Sequence, residues 1–242
     1  MEAVSERIRI RIDRKEFPAL GKREANLVLQ DLDVAVAPRS FVVLTGPSGC
    51  GKSTLLNIVA GLDRDFEGAI ELGPAARRTA FIFQTPRLLP WRTVEENIVL
   101  SLPEGDPRLA NIPGLIERVG LTEARAAYPE RLSLGMQRRV ALVRGFVQEP
   151  DLLLMDEPFV SLDDPTAQEL RQILIDLWHR VRATVLFVTH DRTEAVTLGT
   201  RILRLARGSA TLAEDVEIRL TREERADRGA VRREVERVFG AA

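Results

Sequence analysis

The sequence predicts an α/β fold: a mostly parallel sheet, an N-terminal antiparallel β layer and an inserted helical subdomain. Three observations carry this expectation. Four short apolar runs, at 41–44, 81–83, 152–155 and 185–188, are continuous, as strands buried on both faces are. The chain before them instead alternates, strictly over 7–12 (Arg-Ile-Arg-Ile-Arg-Ile) and with a similar rhythm over 32–36, as half-exposed antiparallel strands do. Between Gln84 and Asp151 there is no convincing strand but several helical stretches, so a helical insertion is expected over about 85–148. The segment from about 219 to 240 is dominated by charge, with Val231, Val235, Val238 and Phe239 spaced as one helical stripe. It reads as a terminal helix docking one face or, alternatively, as a partner contact.

Composition narrows the function. With 35 Lys+Arg against 36 Asp+Glu the net charge is −1, which leaves no chain-wide basic field for nucleic acid; none is expected as a partner. A single cysteine, Cys50, and two histidines, His179 and His190, exclude a disulfide framework and Cys/His metal clusters. No stretch approaches the ~20 apolar residues of a membrane span, and residues 1–7 lack the apolar centre of a signal peptide, so a cytoplasmic protein is expected. Only three of the cations are lysines: Lys15, Lys22 and Lys52.

In a mostly parallel sheet ligands bind beyond the carboxyl ends of the strands, and every buried run here ends in polar residues. After the first comes Gly46-Pro47-Ser48-Gly49-Cys50-Gly51-Lys52-Ser53, followed by a helical pattern from Thr54. Gly-x-x-x-x-Gly-Lys-Ser between strand and helix is a P-loop, and the fold is expected to be a P-loop NTPase core. Its glycines let backbone N–H groups curl around phosphate, Lys52 is suited to the β and γ phosphates, and the Ser53 hydroxyl to Mg²⁺. Cys50 reads as a small spacer or, alternatively, as an activated thiol.

The run at 152–155 ends in Asp156-Glu157. Asp156 can support Mg²⁺, usually through its water shell, while Glu157 can orient and deprotonate the water that attacks the γ-phosphate. His190, at the end of the last buried run, is placed for a γ-phosphate contact, whereas His179 reads as structural. Gln84 can hydrogen-bond a Mg²⁺-bound water and register the γ-phosphate.

P-loop, glutamine, a Leu-Ser-x-Gly segment, apolar strand with Asp-Glu, and histidine follow one another in that order. The series resembles the nucleotide-binding subunits of ABC transporters, and the likeness covers about 7–212 of the chain. Leu132-Ser133-Leu134-Gly135-Met136-Gln137 is similar to the ABC signature; Ser133 can cap the helix that follows, whose Met136, Val140, Val143 and Val147 form a stripe. The resemblance implies one ABC-type nucleotide-binding domain over 1–242 that binds ATP with Mg²⁺. It further implies that Ser133 and Gly135 contact the γ-phosphate held by a second subunit, and that Ser161-Leu162-Asp163 is the connecting D-loop of a head-to-tail pair. It departs at Leu134, where the family usually has glycine; a side chain there is expected to slow hydrolysis or weaken closure.

Residues 84–97 and 156–159 are similar to importer subunits of the nitrate, sulfonate and taurine type, with a shorter segment over 101–112. That implies an ATPase at the inner face of the cell membrane whose partners are a second copy or a homologous ATPase subunit, a separate integral membrane permease and an extracytoplasmic solute-binding protein. A soluble assembly ATPase and an exporter or lipid-trafficking subunit are the alternatives. Phe17 is the best match for the aromatic that stacks on adenine, and Trp91 reads either as a contact residue in this stretch or as core.

Overall fold

Arginine and isoleucine alternate along β1 (Ile8–Phe17), so that Ile8, Ile10 and Ile12 are buried while their neighbours face out. In the computed structural model, which describes residues 7–19, 25–73, 76–206 and 211–240, this strand belongs to the first of two units, Met1–Ala76 with Thr184–Ala242. Residues 1–6, read above as no signal peptide, and Lys22 lie outside the described residues. β1 pairs antiparallel with β2 (Asn26–Val36), and also with a later strand, Glu67–Glu71, giving the expected N-terminal layer.

The runs at 41–44 and 185–188 fold as β3 (Phe41–Thr45) and β7 (Thr184–Val188), every residue of both buried. Each large apolar side chain so buried contributes roughly 1.5–3 kcal/mol. β3 pairs parallel with β7 on one side and with β8 (Arg201–Leu205) on the other, and β8 pairs antiparallel with β9 (Leu212–Glu217). Between β3 and the 67–71 strand, β4, lies α1 (Lys52–Val59), whose Leu55, Leu56, Ile58 and Val59 are buried. α6 (Arg192–Leu198) follows β7, and α7 (Arg228–Phe239) closes the unit. The C-terminal helix is shorter than the expected 219–240. Thr221 and Glu224 form a separate turn, each side chain accepting the other's backbone N–H, and Asp227 starts the helix by accepting from Ala230 N at 2.5 Å. Val231 and Val238 of the expected stripe are buried.

The second unit, Arg77–Ala183, contains β5 (Thr79–Ile82) parallel to β6 (Leu152–Asp156), and the helices α2 (Val94–Val99), α3 (Ile112–Arg118), α4 (Leu134–Phe146) and α5 (Asp164–Val181). Among the described residues 85–148 contain helices and turns but no strand. β5 departs from the continuous run expected at 81–83. Arg78 and Asp151 exchange backbone and side-chain hydrogen bonds and start the pairing earlier; Ala80 and Ile82 turn inward, and Phe81 stacks on Phe83 at 4.1 Å on the half-buried side. The core reading of Trp91 is also overturned, since the side chain is 68% exposed. The cause is Asn97, buried on α2, which accepts from Leu89 N and donates to the carbonyls of Leu89, Arg92 and Thr93. The backbone of 89–93 wraps around this amide and leaves Trp91 outside. Among the described residues no helix is long and apolar enough to cross a membrane.

Candidate functional site

The first unit carries the P-loop between β3 and α1. Gly46, Gly49 and Gly51 have φ of 146°, 79° and 97°, all in the region that side chains rarely enter. Space adds to the requirement at two of them. A Cβ on Gly46 would meet Leu205 O at 2.7 Å, and one on Gly51 would meet Val28 O at 2.9 Å. The backbone thus curls, with Cys50 N donating to Pro47 O, while Pro47, Ser48 and Gly49 stay exposed. Lys52 Nζ reaches back across the loop to Gly46 O and Pro47 O, both at 2.9 Å. Its ammonium is therefore held inside the curl by two loop carbonyls, for which an oxyanion could exchange. Ser53 is exposed and Thr54 half-buried in the first turn of α1, whereas Cys50 is 4% exposed and packs beneath the loop.

His190 lies beside this loop. Val188 pairs with Leu44, and Thr189 N donates to Leu44 O, so the residues that follow β3 and β7 emerge side by side. The turn is pinned: Thr189 Oγ1 donates to Glu194, and Asp191 caps α6 by accepting from Glu194 N. His190 stands exposed on that turn. Phe17, 44% exposed, ends β1 opposite Asn26 of β2. Three residues along β2, about 10 Å at the usual strand rise, Leu29 packs on the Gly51 position.

In the second unit, Gln84 is exposed just beyond β5. Asp156 is the last residue of β6, and Glu157 leaves the strand with φ 42°, a left-handed conformation uncommon for a side chain with a Cβ. A turn therefore begins at Glu157, directly after the strand residue Asp156. Ser133 caps α4, its Oγ accepting from Met136 N, and Leu134 follows as the first helical residue, 38% exposed. Asp163 caps α5 by accepting from Thr166, which holds its carboxyl below the usual range. The two helix starts meet: a Cβ on Gly135 would lie 2.7 Å from Thr166 Cγ2. His179 is exposed in the last turn of α5.

Sequence reasoning missed the arginines that tie these segments down. Arg144 of α4 donates to Pro86 O and Arg87 O, just after Gln84, and Arg138 donates to Val160 O, just before the 161–163 segment. An arginine that serves distant carbonyls leaves no local pattern to read. Among the described residues no three His, Cys, Asp or Glu side chains gather as a metal cage.

Residues 29–160 match the family model described as ABC transporter. The chain is 43% identical over 202 residues, 81% of this chain and 78% of that protein, to the aliphatic sulfonates import ATP-binding protein SsuB of Bacillus subtilis. A second SsuB, from Streptomyces avermitilis, is 46% identical over 195 residues, 81% of this chain and 74% of that one. A dimeric post-hydrolysis structure of the ATP-binding cassette MJ0796, bound to ADP and Pi, superimposes with a TM-score of 0.74 at 26% identity, covering 88% of this chain and 100% of that one. The chain therefore belongs to the ABC transporter family, as an ATP-binding and ATP-hydrolysing subunit of a transport complex.

Proposed function

We propose that two copies of this chain, or one copy and a homologous ATPase subunit, close head to tail around two ATP. This closure, in our reading, drives a separate integral membrane permease that imports aliphatic sulfonates delivered by an extracytoplasmic solute-binding protein. The subunit would work at the inner face of the membrane. The observation that carries this reading is the P-loop itself: three left-handed glycines and a lysine already turned across the loop mouth. The names of the relatives supply the solute class.

The roles follow from placement. Backbone N–H groups of Gly46, Ser48, Gly49, Cys50 and Gly51, with those of Lys52, Ser53 and Thr54 at the start of α1, wrap the phosphates; Pro47 has no N–H and shapes the turn between them, and Lys52 neutralises the β and γ groups. Phe17 offers its exposed ring to adenine. Ser53, Gln84 and Asp156 would hold Mg²⁺, which when bound would supply charge neutralisation for the phosphates. Glu157 orients the attacking water and takes its proton as the bond from the γ-phosphorus to ADP breaks; His190 donates a hydrogen bond to the γ-phosphate. Ser133, Gly135 and Asp163 serve the nucleotide of the other copy. The segment after Gln84, with Trp91 exposed on it, faces the permease.

Glu157→Gln tests the assignment of the base. It keeps shape and hydrogen bonding but cannot accept the proton, so ATP binding is retained, hydrolysis falls about 10²-fold or more, and an ATP-bound dimer accumulates on size exclusion. Undiminished turnover overturns the assignment.

A further inference from the structure

Lys15 is one of the three lysines of the chain, and nothing assigned above uses it. It is 2% exposed, among the most deeply buried large side chains among the described residues. A lysine is buried to that extent only where its charge is met. An irregularity in β1 puts it there. The register with β4 shifts between Ile12 and Arg14, so the inward sequence Ile8, Ile10, Ile12 passes to Lys15; the register with β2 shifts only beyond it, between Lys15 and Glu16. Such bulges re-aim side chains beside functional sites. Inside, Nζ donates to Asp63 Oδ1 at 3.0 Å and to Asp65 O at 2.5 Å. Both acceptors belong to the segment that follows α1, the helix that the P-loop leads into. Nζ also stands 4.7 Å from the ring centroid of Phe17, two residues further along the chain.

We propose that Lys15 is a positioning residue for the nucleotide base. Its ammonium, anchored to the chain that leaves α1, fixes the Phe17 ring in orientation and in distance from the P-loop, so that the ring meets adenine without first being ordered. The proposal rests on the reading that Phe17 stacks on the base. A cation against an aromatic face is an attractive contact, and a ring held before binding loses less rotamer freedom on binding. Lys15 touches neither phosphate nor base, and its whole effect passes through Phe17. That distinguishes it from Lys52, whose effect falls on the phosphates.

The test compares ATP with inorganic tripolyphosphate, which shares the phosphates but has no base, each titrated calorimetrically with Mg²⁺ into the full-length chain. Lys15→Gln still hydrogen-bonds Asp63 and Asp65 but carries no charge. It is expected to weaken ATP by about three- to tenfold while tripolyphosphate changes by less than about twofold, the scale of a lost cation–π contact and its ordering. Lys15→Arg restores ATP affinity, and Lys15→Gln adds no further loss to Phe17→Ala. Equal weakening of both probes, or a further loss in the Phe17→Ala background, overturns the proposal and leaves Lys15 a structural ion pair. If Phe17→Ala alone leaves ATP affinity unchanged, the stacking reading has failed. If Phe17→Ala weakens ATP and Lys15→Gln does not, stacking stands and the role of Lys15 is refuted. Should Lys15→Gln not fold, as judged by thermal melting, Asp63→Asn loosens the ammonium without removing it. That variant carries the same comparison, with selective weakening of ATP supporting the proposal and equal weakening of the two probes refuting it.

Discussion

Leu134 and Gly135 open α4 side by side, under different constraints. Leu134 is helical and 38% exposed, so no packing in its own chain requires a leucine there. If α4 faces the nucleotide of a second copy, that side chain stands between backbone and phosphate. Leu134→Gly costs the helix about 0.5–1 kcal/mol at most, and it is expected to raise phosphate release roughly two- to tenfold, a barrier change of about 0.4–1.4 kcal/mol. An unchanged rate, with unchanged ATP-dependent dimerisation, excludes this account. Gly135 has the opposite character: a methyl group there lies 2.7 Å from Thr166 Cγ2, on a β-branched side chain with little freedom to swing away. Gly135→Ala is expected to lower the stability of the chain by about 1–3 kcal/mol in urea melts. ATPase activity falls with it, while ATP binding, which belongs to the P-loop, is kept. Wild-type stability in that variant rules out the close approach of α4 and α5.

Elements whose causes are local were legible in the sequence, and those held by distant partners were not. β3 and β7 are continuous apolar runs, the start of α4 needs only a serine three residues before the amide it caps, and the P-loop is eight consecutive residues. β4 shows no such pattern: Glu-Gly-Ala-Ile-Glu is a strand because β1 offers it an antiparallel edge, and Gly68 is needed there because a Cβ would overlap Arg11 O. Trp91 was ambiguous because its exposure is decided by Asn97, a neighbouring residue whose amide replaces four backbone partners. Lys15 escaped because its acceptors lie 48 and 50 residues away. The Arg144 latch is of the same kind. It donates at 2.7 Å to Pro86 O and at 2.9 Å to Arg87 O, and burial pushes its pKa down, so the charge is kept by those carbonyls. Arg144→Met is expected to cost about 1–3 kcal/mol and to speed hydrogen exchange across 85–92, with ATP affinity held within about twofold because the latch touches no nucleotide. Unchanged protection over 85–92 shows that other contacts hold that segment.

At the scale of the whole molecule, the head-to-tail pair proposed above would divide each nucleotide site between two chains. A closed two-fold pair repeats the same contact twice, so in that proposal Lys52 of one copy and Ser133 of the other would serve one ATP, and the reverse would hold for the second. Lys52 lies in the P-loop at the start of α1, and Ser133 is the exposed cap of α4. Lys52→Ala removes the charge on the β and γ phosphates, and Ser133→Arg fills the place from which the cap would meet them; each variant alone is expected to be inactive. Mixed, they form hybrid pairs in which one site carries both defects and the other carries none. Random exchange makes half the pairs hybrids, each with one sound site of two, so equal amounts recover up to about a quarter of wild-type turnover. The recovery also rises with total protein concentration, because the active species is a pair. Had each chain built its own complete site, both variants would bring a dead site to every pair and mixing would restore nothing. A mixture that remains inactive, while size exclusion shows hybrids forming, rejects the shared site and with it the roles proposed for Ser133, Gly135 and Asp163.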